Sequence, residues 1–231
     1  MATLIVMLAK APVAGKVKTR LGKSIGMEWS ARLHKAFIGD LSDTIASVGF
    51  DVLLSYAGDP NHVGFEAPRT RGFTFKAQPS GDLGERLNAI CKKAMNDFDR
   101  IIIIGSDSPT LEKSHFLDAD AALENCDVVI GPSFDGGYYL IGVNKAAFES
   151  QGGRLSIFSD IRWSSEEVLD QTLQSCHRSH QRCELLGFWY DVDTVIDLNF
   201  LRTHLRQINS VGGESGQRTR ALLEEFDRTA K

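Results

Sequence analysis

Apolar and polar positions follow two alternating rhythms along the chain. Short runs rich in apolar and β-branched residues at 4–9, 51–56, 73–77, 101–105 and 128–131 predict strands buried on both faces. Between them the period lengthens to that of a helix. Leu33, Phe37, Leu41, Ile45 and Val48 recur every three or four positions and predict a helix over 29–48. Leu87, Ile90, Ala94 and Phe98 do the same over 83–98. Strand and helix in alternation imply right-handed crossovers, hence an α/β fold with a mostly parallel central sheet. After residue 131 the rhythm changes, because the run at 138–143 follows a short Gly-containing turn and predicts a hairpin. A helix over 164–176 is expected, capped by Ser164 or Ser165 with Glu166 and Glu167 at its N-terminal dipole, then a strand over 185–190 and a helix over 196–208. This organisation gives one domain over 1–208. The remainder, 209–231, reads as a Gly- and Ser-rich linker and a short amphipathic helix with Leu222, Leu223 and Phe226 on one side.

Composition narrows the class. With 26 Lys and Arg against 30 Asp and Glu, the 231-residue chain carries a net charge of −4, which argues against a nucleic-acid-coating protein. The apolar run at 4–9 is too short for the core of a signal peptide, and no run nears the ~18 residues of a membrane span, so a cytoplasmic protein is expected. Cys91, Cys126, Cys176 and Cys183 show no disulfide rhythm and predict reduced thiols. Cys176, His180 and Cys183 have helical spacing that zinc could use, but the polar segment around them reads better as a solvated helix end.

The candidate chemistry follows the strand ends, where open α/β sheets bind ligands. Lys10, Ala11 and Pro12 leave the first strand and lead through Gly15 to Lys16, Lys18 and Arg20. No second glycine precedes Gly15-Lys16 and Val17 follows the lysine, so this is not a Walker loop, and GxGxxG is absent. Four cations and exposed amides nevertheless suit a polyphosphate better than a plain solvated turn. Four isoleucines then deliver Asp107 to the same edge, where Mg²⁺ or Mn²⁺ would take one or two carboxylates plus substrate phosphates; capping of a helix opened by Pro109 is the alternative. A second metal ligand is expected from Asp193, since Asp191 would point the other way in an extended segment. Gln78 offers an amide able to read a base, with Gly81 permitting close approach and Asp82 as binding residue or helix cap. Asp135, Gly136, Gly137 and Tyr138 leave room beside an acid for a second substrate.

Taken in order, KAPVAGKVKTRL, QPSGDLGERL, IGSDSP, GPSFDGGYYLIG, IRWSSEEVL and DVDT resemble the radical-SAM/selenodomain-associated transferases, over roughly residues 4–201. That family sits among the nucleotide-diphospho-sugar transferases, and the first loop is similar to that of the molybdopterin and 2-phospholactate guanylyltransferases. The resemblance implies a GT-A-like three-layer α/β/α domain, a nucleotide clasped by residues 10–20 with Gln78 and Gly81 near the base, and a divalent ion on Asp107. The expected reaction is glycosyl transfer from a nucleotide-diphospho-sugar to a small-molecule acceptor, with Lys18 and Arg20 stabilising the leaving phosphate and Asp135 as base. The alternative is nucleotidyl transfer from a nucleoside triphosphate to an acceptor phosphate, releasing pyrophosphate and needing no base. A non-catalytic nucleotide-binding module is the third reading. A homodimer is left open.

Overall fold

A computed structural model describes residues 1–229. Its centre is a seven-stranded sheet of strands β1 (Thr3–Lys10), β2 (Asp51–Ala57), β3 (Thr74–Ala77), β4 (Arg100–Ile104), β5 (Val128–Pro132), β6 (Tyr138–Asn144) and β7 (Cys183–Leu185), in the order β3-β2-β1-β4-β6-β5-β7. All neighbours are parallel except those of β6, which runs against β4 and β5. The expected hairpin is therefore β5–β6. Because the other six strands point one way, the segments that follow them gather on one edge of the sheet.

The helices are α1 (Thr19–Ile25), α2 (Met27–Val48), α3 (Glu66–Thr70), α4 (Leu83–Ala94), α5 (Lys113–Ala122), α6 (Lys145–Ser150), α7 (Val168–Arg178), α8 (Val195–Ser210) and α9 (Gln217–Thr229). Alternation along each strand splits the core into two layers. Ile5, Met7, Ile102 and Ile104 pack under Ile38, Leu41 and Ile45 of α2 and Phe116 of α5. On the other face Leu4, Val6, Ile101 and Ile103 meet Leu87 and Ile90 of α4, Ile157 and Phe158. A third cluster joins Leu21, Leu33 and Phe37 to Val192, Leu198, Leu201 and Leu223, tying α1, α2, α8 and α9 together. This is the three-layer α/β architecture. Among the described residues no helix is long and apolar enough to cross a membrane.

Four elements depart from their pattern. β3 lies at the sheet edge and is largely exposed, so its apolar run does not mark a strand covered on both faces. The strand expected over 185–190 shrinks to β7, because after the Leu186 amide bond to Ile130 the pairing lapses and returns only as an isolated bridge at Trp189, whose amide donates to the Pro132 carbonyl at 3.1 Å. α7 begins at Val168 and not at 164: Ser164 takes a left-handed conformation, φ 65°, which L-residues cannot propagate as a helix. α8 continues to Ser210, into the expected linker, and α9 does not hang from a tether. Asp40 of α2 accepts the amide protons of Arg218 and Thr219 at 2.8 and 2.9 Å, capping α9 from across the molecule. Residues 230–231 of the expected tail lie outside the described residues.

Candidate active site

The loop after β1 reaches Lys18, the residue before α1, which adopts φ 46° and ψ 42°. Only a few per cent of non-glycine residues have positive φ, so surroundings must over-determine this one. They do. Its ammonium lies 2.7 Å from Oδ1 of Asp107 and 2.7 Å from Oδ1 of Asp193, with the lysine side chain 3% exposed and both carboxylates partly open to solvent. Burial pulls the Lys18 pKa down, but Asp107 and Asp193 outweigh it and hold the ammonium above the ordinary lysine value. Asp107 moves the opposite way: burial would raise it, and the Lys18 ammonium brings it below the usual carboxylate range. The two acids expected at the sheet edge thus do meet there, around a lysine that was expected to face the donor phosphates.

Asp191 enters the same crevice, contrary to the alternation argument. The segment carrying it is not a strand; the Val192 amide donates to the Asp107 carbonyl at 3.0 Å and turns the chain inward. Asp191 accepts the Ser108 hydroxyl, and burial, then the charge of Asp107, push its carboxyl up to about 7. His34 of α2 sits beneath. Its Nε2 lies 3.3 Å from the Lys10 carbonyl, which only accepts, so that nitrogen carries the proton and leaves Nδ1 without a hydrogen-bond partner 3.6 Å from Asp107. Burial holds the His34 pKa below the ordinary value despite Asp107. Nothing in the sequence marked His34, and Ser108 stood in the IGSDSP motif without a role of its own; strand pairing and helix packing bring both to the acids of the crevice.

The remaining candidates divide. Lys10, Gly15, Lys16 and Arg20 are exposed on the loop and the first turn of α1, with Ala11 and Pro12 buried at its root and the Ala11 amide bonded to Ala57 at 2.8 Å. Gln78 stands on the same edge, but its amide donates to the Ser55 carbonyl at 3.0 Å, and Arg86 reaches its oxygen at 3.4 Å. Asp82 caps α4 in a reciprocal box with Glu85, so its carboxylate is committed to the helix. Gly81 supplies the preceding turn at φ 103°. Asp135 shapes its own turn, accepting the Ser133 hydroxyl and the Gly137 amide at 3.0 Å.

Gly136, Gly137 and Tyr138 do not join Asp135 in a substrate pocket. A Cβ on Gly136 would stand 2.1 Å from the Glu166 carbonyl oxygen, so that glycine serves a close backbone approach. Tyr138 packs toward the α4 and α7 side of the sheet. The pocket beside Asp135 is instead lined by Arg20, Phe134, Tyr190, Asp193, Ile196 and Phe200, with a volume of about 470 Å³.

The Oδ1 atoms of Asp107 and Asp193 converge on the Lys18 ammonium, so a hard divalent ion would be left the other oxygen of each carboxylate, both of which are partly open to solvent. Among the described residues no three His, Cys, Asp or Glu side chains are grouped to hold a metal, so an ion at Asp107 and Asp193 would need ligands from substrate. The same finding leaves the zinc reading of Cys176, His180 and Cys183 without a ligand cluster.

The family described as "Uncharacterized protein conserved in bacteria (DUF2064)" matches residues 41–165. A crystal structure from Desulfovibrio desulfuricans G20, provisionally described as a nucleotide-diphospho-sugar transferase, is 34% identical over 99% of this chain and 96% of that one, with a TM-score of 0.86. The 2-phospho-L-lactate guanylyltransferase of Methanothermobacter thermautotrophicus is 27% identical over 66% of this chain and 67% of its own length. A cytidylyltransferase from Leptospira borgpetersenii covers 100% of this chain and 95% of its own at 13% identity and TM-score 0.57, a likeness of fold.

Proposed function

Because the chain belongs to the DUF2064 family of proteins conserved in bacteria, on a nucleotide-diphospho-sugar transferase fold, we propose that it is a nucleotidyltransferase joining a nucleoside triphosphate to an acceptor phosphate. The reading rests on one observation above others: a buried ammonium fixed between two carboxylates at the sheet's carboxyl edge, on a loop that also exposes Lys16 and Arg20, two positions before and after it in the chain. The similarity to a guanylyltransferase favours it over the glycosyl transfer first expected. So does Asp135, whose Oδ1 is occupied by two donors of its own turn and which glycosyl transfer would need as base. The finer likeness to the radical-SAM/selenodomain-associated transferases belongs to the same proposal and rests on the motifs.

In this reaction an acceptor phosphate oxygen attacks the α-phosphorus, a new P–O–P linkage forms, the bond from that phosphorus to the oxygen bridging it to the β-phosphate breaks, and pyrophosphate leaves with the bonding pair. No proton need be removed from an ionised acceptor. The protein's work is positioning and electrostatics. Lys16 meets the triphosphate at the loop surface. Lys18 has three N–H groups and spends two on Asp107 and Asp193, so one remains for a phosphate oxygen. Its place is fixed by both acids and by the backbone, so charge developing on the transferred group finds a donor already oriented. A Mg²⁺ or Mn²⁺ ion on Asp107, Asp193 and the donor phosphates would supply further charge neutralisation there.

The test is thermal stabilisation by a panel of nucleoside triphosphates and nucleotide sugars, each with and without Mg²⁺. A rise in Tm with at least one triphosphate, enlarged by Mg²⁺ and lost in Asp107→Asn, is expected. Stabilisation by nucleotide sugars and by no triphosphate would contradict the reading.

A further inference from the structure

The pocket beside Asp193 combines two features that the phosphate chemistry does not use, its rings and its charge. Phe134 is 78% exposed, Ile196 76% and Phe200 56%. Exposed single apolar residues are ordinary, but a group of them around one concavity of about 470 Å³ marks a small-molecule site. The rings are also held in place. Phe134 stacks on Phe188 with centroids 5.6 Å apart, so one of its faces is covered and the other is open. Phe200 meets Tyr190 edge-on at 4.7 Å, and the Tyr190 hydroxyl accepts from Thr110 at 3.0 Å and lies 2.8 Å from Nδ1 of His204.

The same pocket is lined by Asp135, Asp191, Asp193 and Asp197, against a single guanidinium, that of Arg20. Hydrogen bonds from hydroxyls and amides orient these carboxylates and leave their charge in place. The Lys18 ammonium is shared with Asp107 and offsets no more than one of them. Even with a proton on Asp191, the lining therefore stays net negative. Each acid also commits only one oxygen to the protein. Oδ1 of Asp193 meets Lys18, Oδ1 of Asp191 the Ser108 hydroxyl, Oδ1 of Asp135 its own turn, and Oδ2 of Asp197 the Asp193 and Thr194 amides. Among the described residues the second oxygen of each has no hydrogen-bond partner. Such a lining repels an anion. A hard metal ion would take the oxygens with water and make no use of the rings. An organic cation uses both, because the negative faces of aromatic rings attract it as the carboxylates do.

We propose that this pocket binds an organic ammonium ion with apolar substituents. Phe134, Ile196 and Phe200 receive the substituents, and the carboxylates supply the counter-charge. The proposal goes beyond the nucleotidyltransferase reading, in which the loop over 10–20 takes the donor phosphates. A nucleoside triphosphate carries no ammonium group, so the group belongs to the acceptor. That assignment rests on the nucleotidyltransferase reading; the ligand class of the pocket does not.

The experiment titrates the full chain, by ligand-observed NMR, with three probes of one branched shape: choline as the cation, neohexyl alcohol as the neutral body and tert-butylacetate as the anion. Choline should bind about tenfold more tightly than neohexyl alcohol, and tert-butylacetate should show no binding. Phe134→Leu and Phe200→Leu keep an apolar wall and remove a ring; each should weaken choline about three- to tenfold and leave the alcohol within about twofold. Asp135→Asn keeps the acceptor oxygen of its turn and should weaken choline alone. All three positions are exposed, so the variants should fold. Equal affinity for choline and the alcohol, a preference for the anion, or no choline binding would overturn the proposal. So would choline affinity unchanged in both Phe variants, which would make the acids a metal site alone, or displacement of choline by a bare nucleoside, which would make the pocket the base site. Triphosphate binding is scored separately by thermal shift on the same preparations. Its absence, with the choline preference intact, would sink the transferase reading and the acceptor assignment and leave the pocket's ligand class standing.

Discussion

Lys18 answers three constraints at once: a left-handed backbone, a buried side chain and two carboxylates 2.7 Å from its nitrogen. Replacing it by Met should keep the loop's apolar packing and lower turnover by about 10² to 10³, the cost of removing one preorganised charge-stabilising donor. Arg should not rescue, because a planar fork cannot take the place of a compact ammonium shared by two oxygens. Single-turnover kinetics on the three proteins would show this, and wild-type rates in Lys18→Met would remove the residue from the mechanism. Asp191 gives a second prediction at this scale. Its carboxyl titrates near 7 when folded, for reasons of burial first and Asp107 second, against about 3.9 when unfolded. The folded state therefore holds a proton the unfolded chain has lost between those values. Its contribution to stability is complete below about pH 4 and is lost as the pH rises through about 7. Urea titrations at pH 5 and pH 8 should show wild-type stability falling by about 2 kcal/mol more than that of Asp191→Asn; parallel behaviour of the two proteins would contradict it. The cationic loop and Asp107 were legible from sequence because each sits beside a strand signal. The pairing of Lys18 with Asp193 was not, since 175 positions separate them and local spacing records nothing of that contact.

Among the elements, α9 shows how far amphipathic pattern reaches. Leu222, Leu223 and Phe226 announce a helix, and the Gly- and Ser-rich segment before it reads as a tether, but the surface that receives the helix is invisible to periodicity. That surface is α2. Trp29 meets Phe226 edge-on at 4.9 Å, Arg32 pairs with Glu225 at 2.6 Å, and Asp40 accepts two amides and the Thr219 hydroxyl of the opening turn. Asp40→Ala should cost about 1–2 kcal/mol, the usual loss for a helix cap. Hydrogen exchange should then rise across residues 217–229 while β1 and β4 stay protected, as expected for local opening. Uniform exchange across the chain would instead mean that α9 and the sheet unfold as one unit. β7 makes the complementary point. The aromatic, apolar segment after it carries strand propensity, but its pairing is reduced to one bridge at Trp189 before the backbone turns toward Asp107, a tertiary demand that propensity does not register.

At the scale of the whole molecule, six strands pointing one way convert a one-dimensional order of motifs into a single edge on which a cationic loop, a carboxylate pair and an apolar pocket stand side by side. The architecture was readable because strands and helices alternate with distinct periods. The reaction was less so, because the same edge serves donors that lose pyrophosphate and donors that lose a nucleoside diphosphate. Phosphorus NMR of the products separates them most directly. The full chain would be incubated with Mg²⁺ and each nucleoside triphosphate, alongside nucleotide sugars, with a panel of phosphomonoester and alcohol acceptors. Pyrophosphate appearing in step with a new P–O–P diester, from one triphosphate and one phosphomonoester, is the result predicted here. Nucleoside diphosphate released from a nucleotide sugar in step with an acceptor alcohol, with no pyrophosphate from any triphosphate, would contradict it.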